Sequence, residues 1–340
     1  LLNISGKGNT ILDELLPMKL TYGEIEGSSR LRDNICGLYE SQKRDNIVVT
    51  HGAIGANALV HETMISPGDH VISICPTYQQ HYSIPESFGA KLDILWLRPE
   101  NDFLPDLEEL GRILRPNTKL VVLNNPNNPT GALLMGANLE EFVAVVRTSG
   151  AYILCDEVYR GTNQVGNGFA PAMADIYEKG ISVSSMSKVF SLAGIRLGWI
   201  AAPREVLEAV SIRRDYNTIS VGMIDDYFAS LALENKEQII GRSQKITRGN
   251  LKILDDWVSK EHSISYKKPQ AGTTALLKYD FNIPSRDFCI QLLRETGVMF
   301  TPGSVMEMEG WLRIGYANSP EVLSQGLNLV SNFLAQMGSR

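Results

Sequence analysis

Positive charge is scarce in this sequence. Its 340 residues include 32 lysines and arginines against 38 aspartates and glutamates, which gives a formal net charge of -6. Nucleic acids and anionic membrane surfaces bind basic patches, so we expect neither as a partner. No apolar run approaches the roughly 20 residues that span a bilayer. The opening Leu1–Ser5 also lacks the basic start and apolar stretch of a signal peptide, and we therefore expect a cytoplasmic protein.

Cysteine and histidine are also few. The four cysteines lie far apart without a Cys-x-x-Cys pair, and the five histidines show no His-Glu-x-x-His spacing. Those spacings are typical of metal sites and redox motifs, and paired cysteines in short secreted chains indicate disulfides. We therefore expect no metal site and no disulfide framework, and we interpret the cysteines as buried free thiols.

Up to about residue 202 the sequence alternates short β-branched runs with longer helical patterns. The predicted strands are residues 46–50, 70–74, 91–95, 119–123, 151–155, 181–184 and 197–202. Near-continuous apolar strands of this kind require a sheet that is covered on both faces. The pattern predicts an α/β domain with three layers, α/β/α, around a mainly parallel, mixed sheet.

After about residue 205 the pattern changes. A long amphipathic helix is predicted over residues 236–261, and a short strand over residues 274–279. Both are typical of a smaller α+β domain. We therefore divide the chain into an N-terminal segment, residues 1–30, a large domain, residues 31–210, and a linking helix with a small C-terminal domain, residues 211–340.

Polar and turn-forming residues follow five of the predicted strands. They occupy positions 52–54, 76–78, 124–131, 156–159 and 185–188. In open α/β sheets, ligands collect at the carboxyl ends of the strands, because loops and helix N-termini with free N–H groups converge there. The sequence therefore predicts a ligand site along this edge of the sheet.

The last of these segments carries the most specific motif. From Ser185 to Gly198 it reads Ser-Met-Ser-Lys-Val-Phe-Ser-Leu-Ala-Gly-Ile-Arg-Leu-Gly. At every defined position it resembles the cofactor-attachment signature of the class I/II aminotransferases, which are fold-type I enzymes dependent on pyridoxal 5'-phosphate (PLP). The other strand-end segments follow in the family's order and approximate spacing, from about Tyr22 to Arg313. The resemblance implies the fold-type I architecture, with residues 31–210 as the PLP-binding domain.

The resemblance assigns the reactive end of the cofactor to five residues. Lys188 would hold the cofactor aldehyde as an internal aldimine and later move a proton at the substrate Cα. Asp156 resembles the carboxylate that keeps the ring nitrogen charged, although a helix N-cap would look the same in isolation. Tyr159 and Asn128 resemble the groups that hydrogen-bond the phenolic oxygen, while Asn-Pro near a glycine is also turn chemistry. Tyr78 would stack on the ring, or pack in the core.

A second group resembles the family's phosphate site. Ser185 and Arg196 match the family's phosphate ligands, and a guanidinium presents a fork of donors that matches a phosphate dianion. The backbone N–H groups of Gly52, Ala53 and Ile54 would complete the site at a helix N-terminus. A simple tight turn would give the same Gly-Ala-x-Gly pattern.

The resemblance also implies a substrate contact and a partner subunit. Arg313 resembles the arginine that binds the substrate α-carboxylate in a bidentate pair, with Asn128 beside the substrate. An arginine within an apolar strand also needs an anion to offset its burial. Tyr22 lies in a segment that resembles the one donated to the neighbouring subunit's cofactor phosphate. The implied active unit is a homodimer, in which residues 1–30 contact the small domain and the partner.

These residues predict an aminotransferase that moves an amino group between an L-amino acid and a 2-oxo acid. The alternative is a β-eliminating (C–S lyase) or cyclising enzyme of the same fold, because PLP weakens several bonds at Cα and the protein selects one by orientation. Residues 270–274, Gln-Ala-Gly-Thr-Thr, depart from the family's usual glycine-aromatic pattern near the pocket. No second arginine for a dicarboxylate is identifiable, and the sequence leaves the substrate side chain and the pathway open.

Overall fold

A seven-stranded sheet forms the centre of the larger layered unit. The computed structural model describes Ile4, Gly6 and residues 8–338, so residues 1–3, 5 and 7 of the predicted N-terminal segment, and 339–340 of the predicted small domain, lie outside the described residues. The strands are β1 (Ile47–Thr50), β2 (His70–Cys75), β3 (Lys91–Trp96), β4 (Thr118–Asn124), β5 (Tyr152–Asp156), β6 (Gly180–Ser185) and β7 (Gly198–Ala201). Their order is β1-β7-β6-β5-β4-β2-β3.

Strands β2 to β6 pair in parallel, and β7 runs antiparallel to both of its neighbours. Their carboxyl ends therefore meet at one edge of the sheet, where β5 ends at Asp156 and β6 ends at Ser185. This confirms the predicted mainly parallel, mixed sheet. Each of the seven predicted strands is present, with ends shifted by one residue at most.

Helices surround this sheet and continue into the second unit. Within the described residues they are α1 (Gly8–Leu15), α2 (Ser29–Cys36), α3 (Gly52–Met64), α4 (Gln80–Ser87), α5 (Leu107–Ile113), α6 (Ala137–Arg147), α7 (Met173–Ile176), α8 (Arg204–Arg214), α9 (Met223–Glu234), α10 (Lys236–Val258), α11 (Ser285–Thr296) and α12 (Pro320–Gly338). None of the described helices combines the length and the apolar character needed to cross a bilayer.

Alternate residues of the central strands face two separate apolar cores. In β4, Leu120 and Val122 pack in the core that contains residues of α3 and α8. The intervening Val121 and Leu123 pack in the core that contains residues of α6. Successive strand residues point to opposite faces, so the continuous apolar run is explained by burial on both sides. The three-layer α/β/α arrangement is confirmed.

A second sheet of four antiparallel strands lies in the C-terminal part of the chain. Its strands are β8 (Ile264–Tyr266), β9 (Thr274–Tyr279), β10 (Thr301–Pro302) and β11 (Trp311–Gly315), in the order β10-β11-β9-β8. Helix α10 connects the two units, because Ile239 near its start packs in a core beside β1 and β7, whereas Leu254 packs in the core of the second sheet. The exact division at residues 30 and 210 stays a prediction.

Candidate active site

A cavity of about 420 Å³ opens at the carboxyl edge of the large sheet. Ten of the residues singled out in the sequence line it: Ala53, Ile54, Tyr78, Asn128, Asp156, Tyr159, Ser185, Lys188, Arg196 and Arg313. Residues of β5, β6 and β11 or of the loops after them thus meet in one place, although they are far apart in the chain. Gly52 adjoins the cavity through Arg196, and Tyr22 lies elsewhere.

The amine of Lys188 and the carboxylate of Asp156 both face this cavity. The cavity walls lower the pKa of Lys188 below its usual value, chiefly by removing solvent, and the positive charge of Arg313 lowers it further, against the opposing effect of Asp156. A lowered pKa increases the fraction of neutral amine at a given pH, and the neutral amine is the form that attacks a carbonyl carbon. The Lys188 Nζ atom lies 5.8 Å from the centre of the Tyr159 ring.

Two residues that the sequence interpretation missed hold the Asp156 carboxylate. Asn57 donates from Nδ2 to Asp156 Oδ2 at 2.8 Å, and His81 Nε2 lies 3.3 Å from the same oxygen. The backbone N–H of Val158 donates to the other oxygen, Oδ1. Asn57 and His81 are both buried. A polar residue within the otherwise apolar stretch of α3, and a histidine three residues after Tyr78, were the available signals.

A second buried histidine, His61, lies beside His81. The His61 ring is 6.0 Å from the His81 ring, edge to face. Burial, and then the neighbouring His81, lowers the pKa of His61 to about 3. His61 is therefore neutral at physiological pH and adds no charge beneath Asp156.

The start of α3 and the side chain of Arg196 offer donors to an anion. Helix α3 begins at Gly52, with a φ of +66°, and the N–H groups of its first turn lack helical partners. A Cβ atom on Gly52 would lie 2.9 Å from Arg196 Nη2. A side chain there would displace the guanidinium, so the glycine permits this approach as well as the turn. Arg196 donates from Nη1 to the carbonyl of Ala193 at 2.6 Å, and its other N–H groups have no hydrogen-bond partner among the residues that the structure describes.

Strand β7 closes tightly against the same turn. A Cβ atom on Gly198 would lie 2.5 Å from the carbonyl carbon of Gly52 and 2.6 Å from the nitrogen of Ala53. Gly198 is therefore required by close packing between β7 and the start of α3. The last glycine of the sequence motif supports the anion site without contacting the cavity.

A chain of hydrogen bonds joins the two sheets across the cavity. Asn124 donates to the backbone carbonyl of Asp156 at 2.8 Å, and the backbone N–H of Asn128 donates to Asn124 Oδ1 at 2.7 Å. Arg313 of β11 donates from Nη1 to Asn128 Oδ1 at 3.3 Å and from Nη2 to Thr301 Oγ1 at 3.1 Å. The side chains of Asn128 and Arg313, which the sequence placed together only by resemblance, are in contact.

The Tyr159 phenol is buried beside this chain. Burial, followed by the charge of Asp156, raises the pKa of Tyr159 to about 12, although Arg313 and a hydrogen bond with Thr273 oppose the rise. Tyr159 therefore remains protonated at physiological pH and can donate a hydrogen bond. Thr273 and Thr274, from the segment that departs from the family pattern, both line the cavity.

Tyr22 does not reach the cavity of its own chain. It is 75% exposed and lines a separate surface pocket with Met18, Met223 and Tyr227. The residues that the structure describes contain no group of three or more His, Cys, Asp or Glu side chains placed to hold a metal ion.

The donor set of the cavity fits PLP. The anion end matches a phosphate, the Lys188 amine matches an aldehyde, and the Asp156 carboxylate matches a protonated ring nitrogen. Gly52 and Gly198 leave the space that the phosphate end needs. The side chains present therefore agree with the cofactor that the resemblance implies.

Comparison with known proteins gives the same family. The family model described as aminotransferase class I and II matches residues 16–328. Among curated relatives, capreomycidine synthase of Streptomyces vinaceus is 29% identical, covering 96% of this chain and 83% of its own length. Aspartate aminotransferase of Thermotoga maritima is 28% identical, covering 93% and 84%.

Solved structures agree with the curated relatives. A PLP-dependent aminotransferase from Streptococcus suis matches with a TM-score of 0.96 and 43% identity, covering 99% of this chain and 89% of the other. The PLP-dependent cyclase OrfR matches with a TM-score of 0.91 and 25% identity, covering 98% and 88%. Similarity therefore extends to proteins named as aminotransferases, to one named as a synthase and to one named as a cyclase.

Proposed function

Since this chain belongs to the class I and II aminotransferase family, we propose that it moves an amino group between an L-amino acid and a 2-oxo acid. It is an enzyme, and its cofactor is PLP. The observation that carries the proposal is the meeting of Lys188, Asp156, Arg196 and Arg313 in one cavity. An amine, an acid and two anion-binding guanidinium groups are what an amino acid and a phosphorylated aldehyde require together.

The cofactor contacts in this proposal follow from the two ends of the cavity. Arg196, Ser185 and the first-turn N–H groups of α3 would hold the phosphate. Asp156 would bind the ring N–H, and its contacts with Asn57 Nδ2 and His81 Nε2 hold the carboxylate in a fixed orientation.

Three other groups would set the position and electronic state of the ring. Tyr159 and Asn128 would hydrogen-bond the phenolic oxygen, and Tyr78, 45% exposed beside the cavity, would cover one face. In this proposal the protonated Tyr159 donates its hydrogen bond to the phenolic oxygen of the cofactor.

PLP supplies, when bound, an aldehyde that combines with amines and a ring that accepts the electrons of the substrate Cα–H bond. The Lys188 amine would take the proton from the substrate Cα as a general base and then donate it to the cofactor carbon. Its lowered pKa makes the neutral, basic form available nearer to neutral pH than in an ordinary lysine. Arg313 would bind the substrate α-carboxylate and so orient the Cα–H bond toward Lys188.

A cyclising reaction is the second candidate. Its support is the similarity to capreomycidine synthase and to the cyclase OrfR. The threonines at 273 and 274 also put hydroxyl groups, rather than the family's usual aromatic ring, at the cavity wall. The same Lys188 and Asp156 would serve either reaction, because the orientation of the substrate decides which bond at Cα breaks.

A panel of L-amino acids, assayed singly with holoenzyme and several 2-oxo acids, separates these functions. We expect conversion of the bound cofactor to its amine form by at least one amino acid, and its reversal by a 2-oxo acid, followed by absorption spectroscopy. Release of pyruvate and ammonia without an acceptor would replace the proposal with elimination. A cyclised amino acid detected by mass spectrometry would replace it with cyclisation.

A homodimer is part of the proposed active form. Exposed apolar side chains gather on two segments, with Leu16, Leu20 and Tyr22 on one and Ile212 and Tyr216 on the other. All five are more than 60% exposed, and neighbouring residues of the two segments line one surface pocket. Contiguous exposed apolar surface is typical of a subunit interface. Tyr22 of each subunit would then reach the phosphate end of its partner's cavity.

Subunit mixing tests this arrangement. Tyr22→Ala and Lys188→Ala homodimers should each be impaired, and reassociation of a mixture should restore activity, because a mixed dimer contains one site with both native residues. Tyr216→Ala mixed with Lys188→Ala is the control for interface damage alone. If activity does not recover in mixed dimers that form normally, Tyr22 does not serve the partner's site.

A further inference from the structure

Arg313 is held by neutral oxygen atoms. Its Nη2 donates to Thr301 Oγ1 at 3.1 Å and its Nη1 to Asn128 Oδ1 at 3.3 Å. Among the described carboxylates, none lies within 4 Å of Arg313 as an ion-pair partner. A guanidinium has five N–H donors, so three remain, together with an uncompensated positive charge. A carboxylate in place of either acceptor would compete with an anionic ligand for that charge.

The backbone fixes where the Thr301 hydroxyl can lie. Thr301 of β10 is directly opposite Arg313 of β11 in the antiparallel register. Side chains directly opposite each other lie on the same face of the sheet, with Cβ atoms about 4.5–5.5 Å apart. The β-branched threonine also has few accessible χ1 rotamers. The acceptor is therefore presented to Arg313 with little conformational freedom.

The two acceptors of Arg313 belong to different sheets. Asn128 is fixed to the carboxyl edge of the large sheet through Asn124, whereas Thr301 belongs to the small sheet that also carries Arg313. Without the Thr301 hydroxyl, only the 3.3 Å bond to Asn128 would orient the guanidinium plane. The plane could then rotate out of the geometry that a bidentate carboxylate requires.

We propose that Thr301 is a positioning residue for recognition of the substrate α-carboxylate. Its hydroxyl oxygen accepts from Arg313 Nη2 and aims the free edge of the guanidinium into the cavity without neutralising it. The inference rests on the proposed function, since it takes Arg313 as the group that binds the α-carboxylate. Its ligand class is a planar carboxylate on the carbon that bears the reacting amino or oxo group.

The test compares Thr301→Val, which removes the acceptor at nearly constant shape, with Thr301→Ser, which keeps it. Holoenzyme is titrated with L-alanine and with ethylamine, which lacks only the carboxylate, and absorption of the bound cofactor is followed. We expect Thr301→Val to raise the half-saturating L-alanine concentration about tenfold, the usual effect of one hydrogen bond to a charged group. The value for ethylamine and the rate at saturating L-alanine should stay within about twofold, and Thr301→Ser should resemble the wild type.

Calorimetric binding of pyruvate to the holoenzyme gives a readout that needs no turnover. The same tenfold weakening is expected for Thr301→Val. Equal weakening of L-alanine and ethylamine, or no weakening of either, would overturn the role of Thr301. If no amino transfer is detected but pyruvate binding still depends on Thr301, the proposed function is wrong and the role of Thr301 stands. If wild-type holoenzyme binds neither L-alanine nor pyruvate at concentrations roughly 100-fold above a usual KM of about 1 mM, both the proposed function and the role of Thr301 are wrong.

Discussion

At the amino ends of the parallel strands, buried polar side chains satisfy one another, whereas at the carboxyl ends they face a cavity. His70 at the start of β2 bonds Thr118 Oγ1 through Nδ1 at 2.8 Å and Asp93 Oδ2 through Nε2 at 3.0 Å. Arg115 completes the group with a 2.6 Å bond to Asp93. The Thr118 hydroxyl also accepts from the backbone N–H of Arg115 at 2.8 Å.

At the carboxyl ends, positively charged side chains outnumber negatively charged ones. Lys188, Arg196 and Arg313 line the cavity, and Asp156 is the one carboxylate among the described residues that line it. Polar groups that hydrogen-bond one another stabilise the fold, whereas donors that face a cavity are free to bind water or a ligand. The location of unused donors, more than the number of buried polar residues, therefore distinguishes a binding site from a structural cluster.

Lys188→Ala should have the largest effect on activity. It removes the amine at the carboxyl end of β6, and we expect amino transfer to fall at least about a thousandfold, in the range of a lost general base. The visible absorption of the bound cofactor should change with it. Lys179→Ala, at the amino end of the same strand, is the matched control and should leave both unchanged. Retention of the wild-type absorption band by Lys188→Ala would contradict the assignment.

Glu157→Gln should change the stability of the fold and leave cofactor binding unchanged, because Glu157 adjoins Asp156 in sequence but does not line the cavity. Burial raises the pKa of Glu157 from 4.5 to about 7, and its Oε2 has no hydrogen-bond partner among the described residues. The carboxyl group is protonated in both folded and unfolded states below pH 4.5. Between pH 4.5 and 7 only the unfolded state ionises, so the wild type loses stability as pH rises.

The variant lacks this titration. From pH 4.5 to pH 7, the unfolding free energy of Glu157→Gln should therefore increase by about 3 kcal/mol relative to that of the wild type, at about 1.4 kcal/mol per pKa unit. Denaturant unfolding of both proteins at a series of pH values measures it, with PLP affinity as the control that should not change. A constant difference across this range would show that Glu157 ionises normally.

Asp93→Asn should give the smallest effect, at the amino ends. It weakens the bonds to His70 and Arg115, and a loss of about 1 kcal/mol in stability is expected for a partly exposed charge-assisted contact. Thermal unfolding measures the loss, while amino transfer should be unaffected. A fall in amino transfer without a fall in stability would mean that the two ends of the sheet are coupled.

The strands and the reactive lysine could be predicted because their signals are local. Apolar runs such as residues 119–123 extend over single strands, and the motif around Lys188 lies within 14 successive residues, Ser185 to Gly198. The same locality explains the prediction that five strand ends share one edge, because parallel pairing brings them there.

The contacts that complete the site depend on pairings between distant residues. His81 and Asn57 reach Asp156 across 75 and 99 residues of sequence, and no local pattern in either helix specifies that meeting. The pairing of Thr301 with Arg313 required the register of β10 against β11, in a strand of only two residues. Local patterns of residues were sufficient to identify the groups that could react. The packing of the two sheets decided which neighbours hold those groups in place, because a hydrogen bond acts only over about 3 Å and so depends on where the folded backbone puts its atoms.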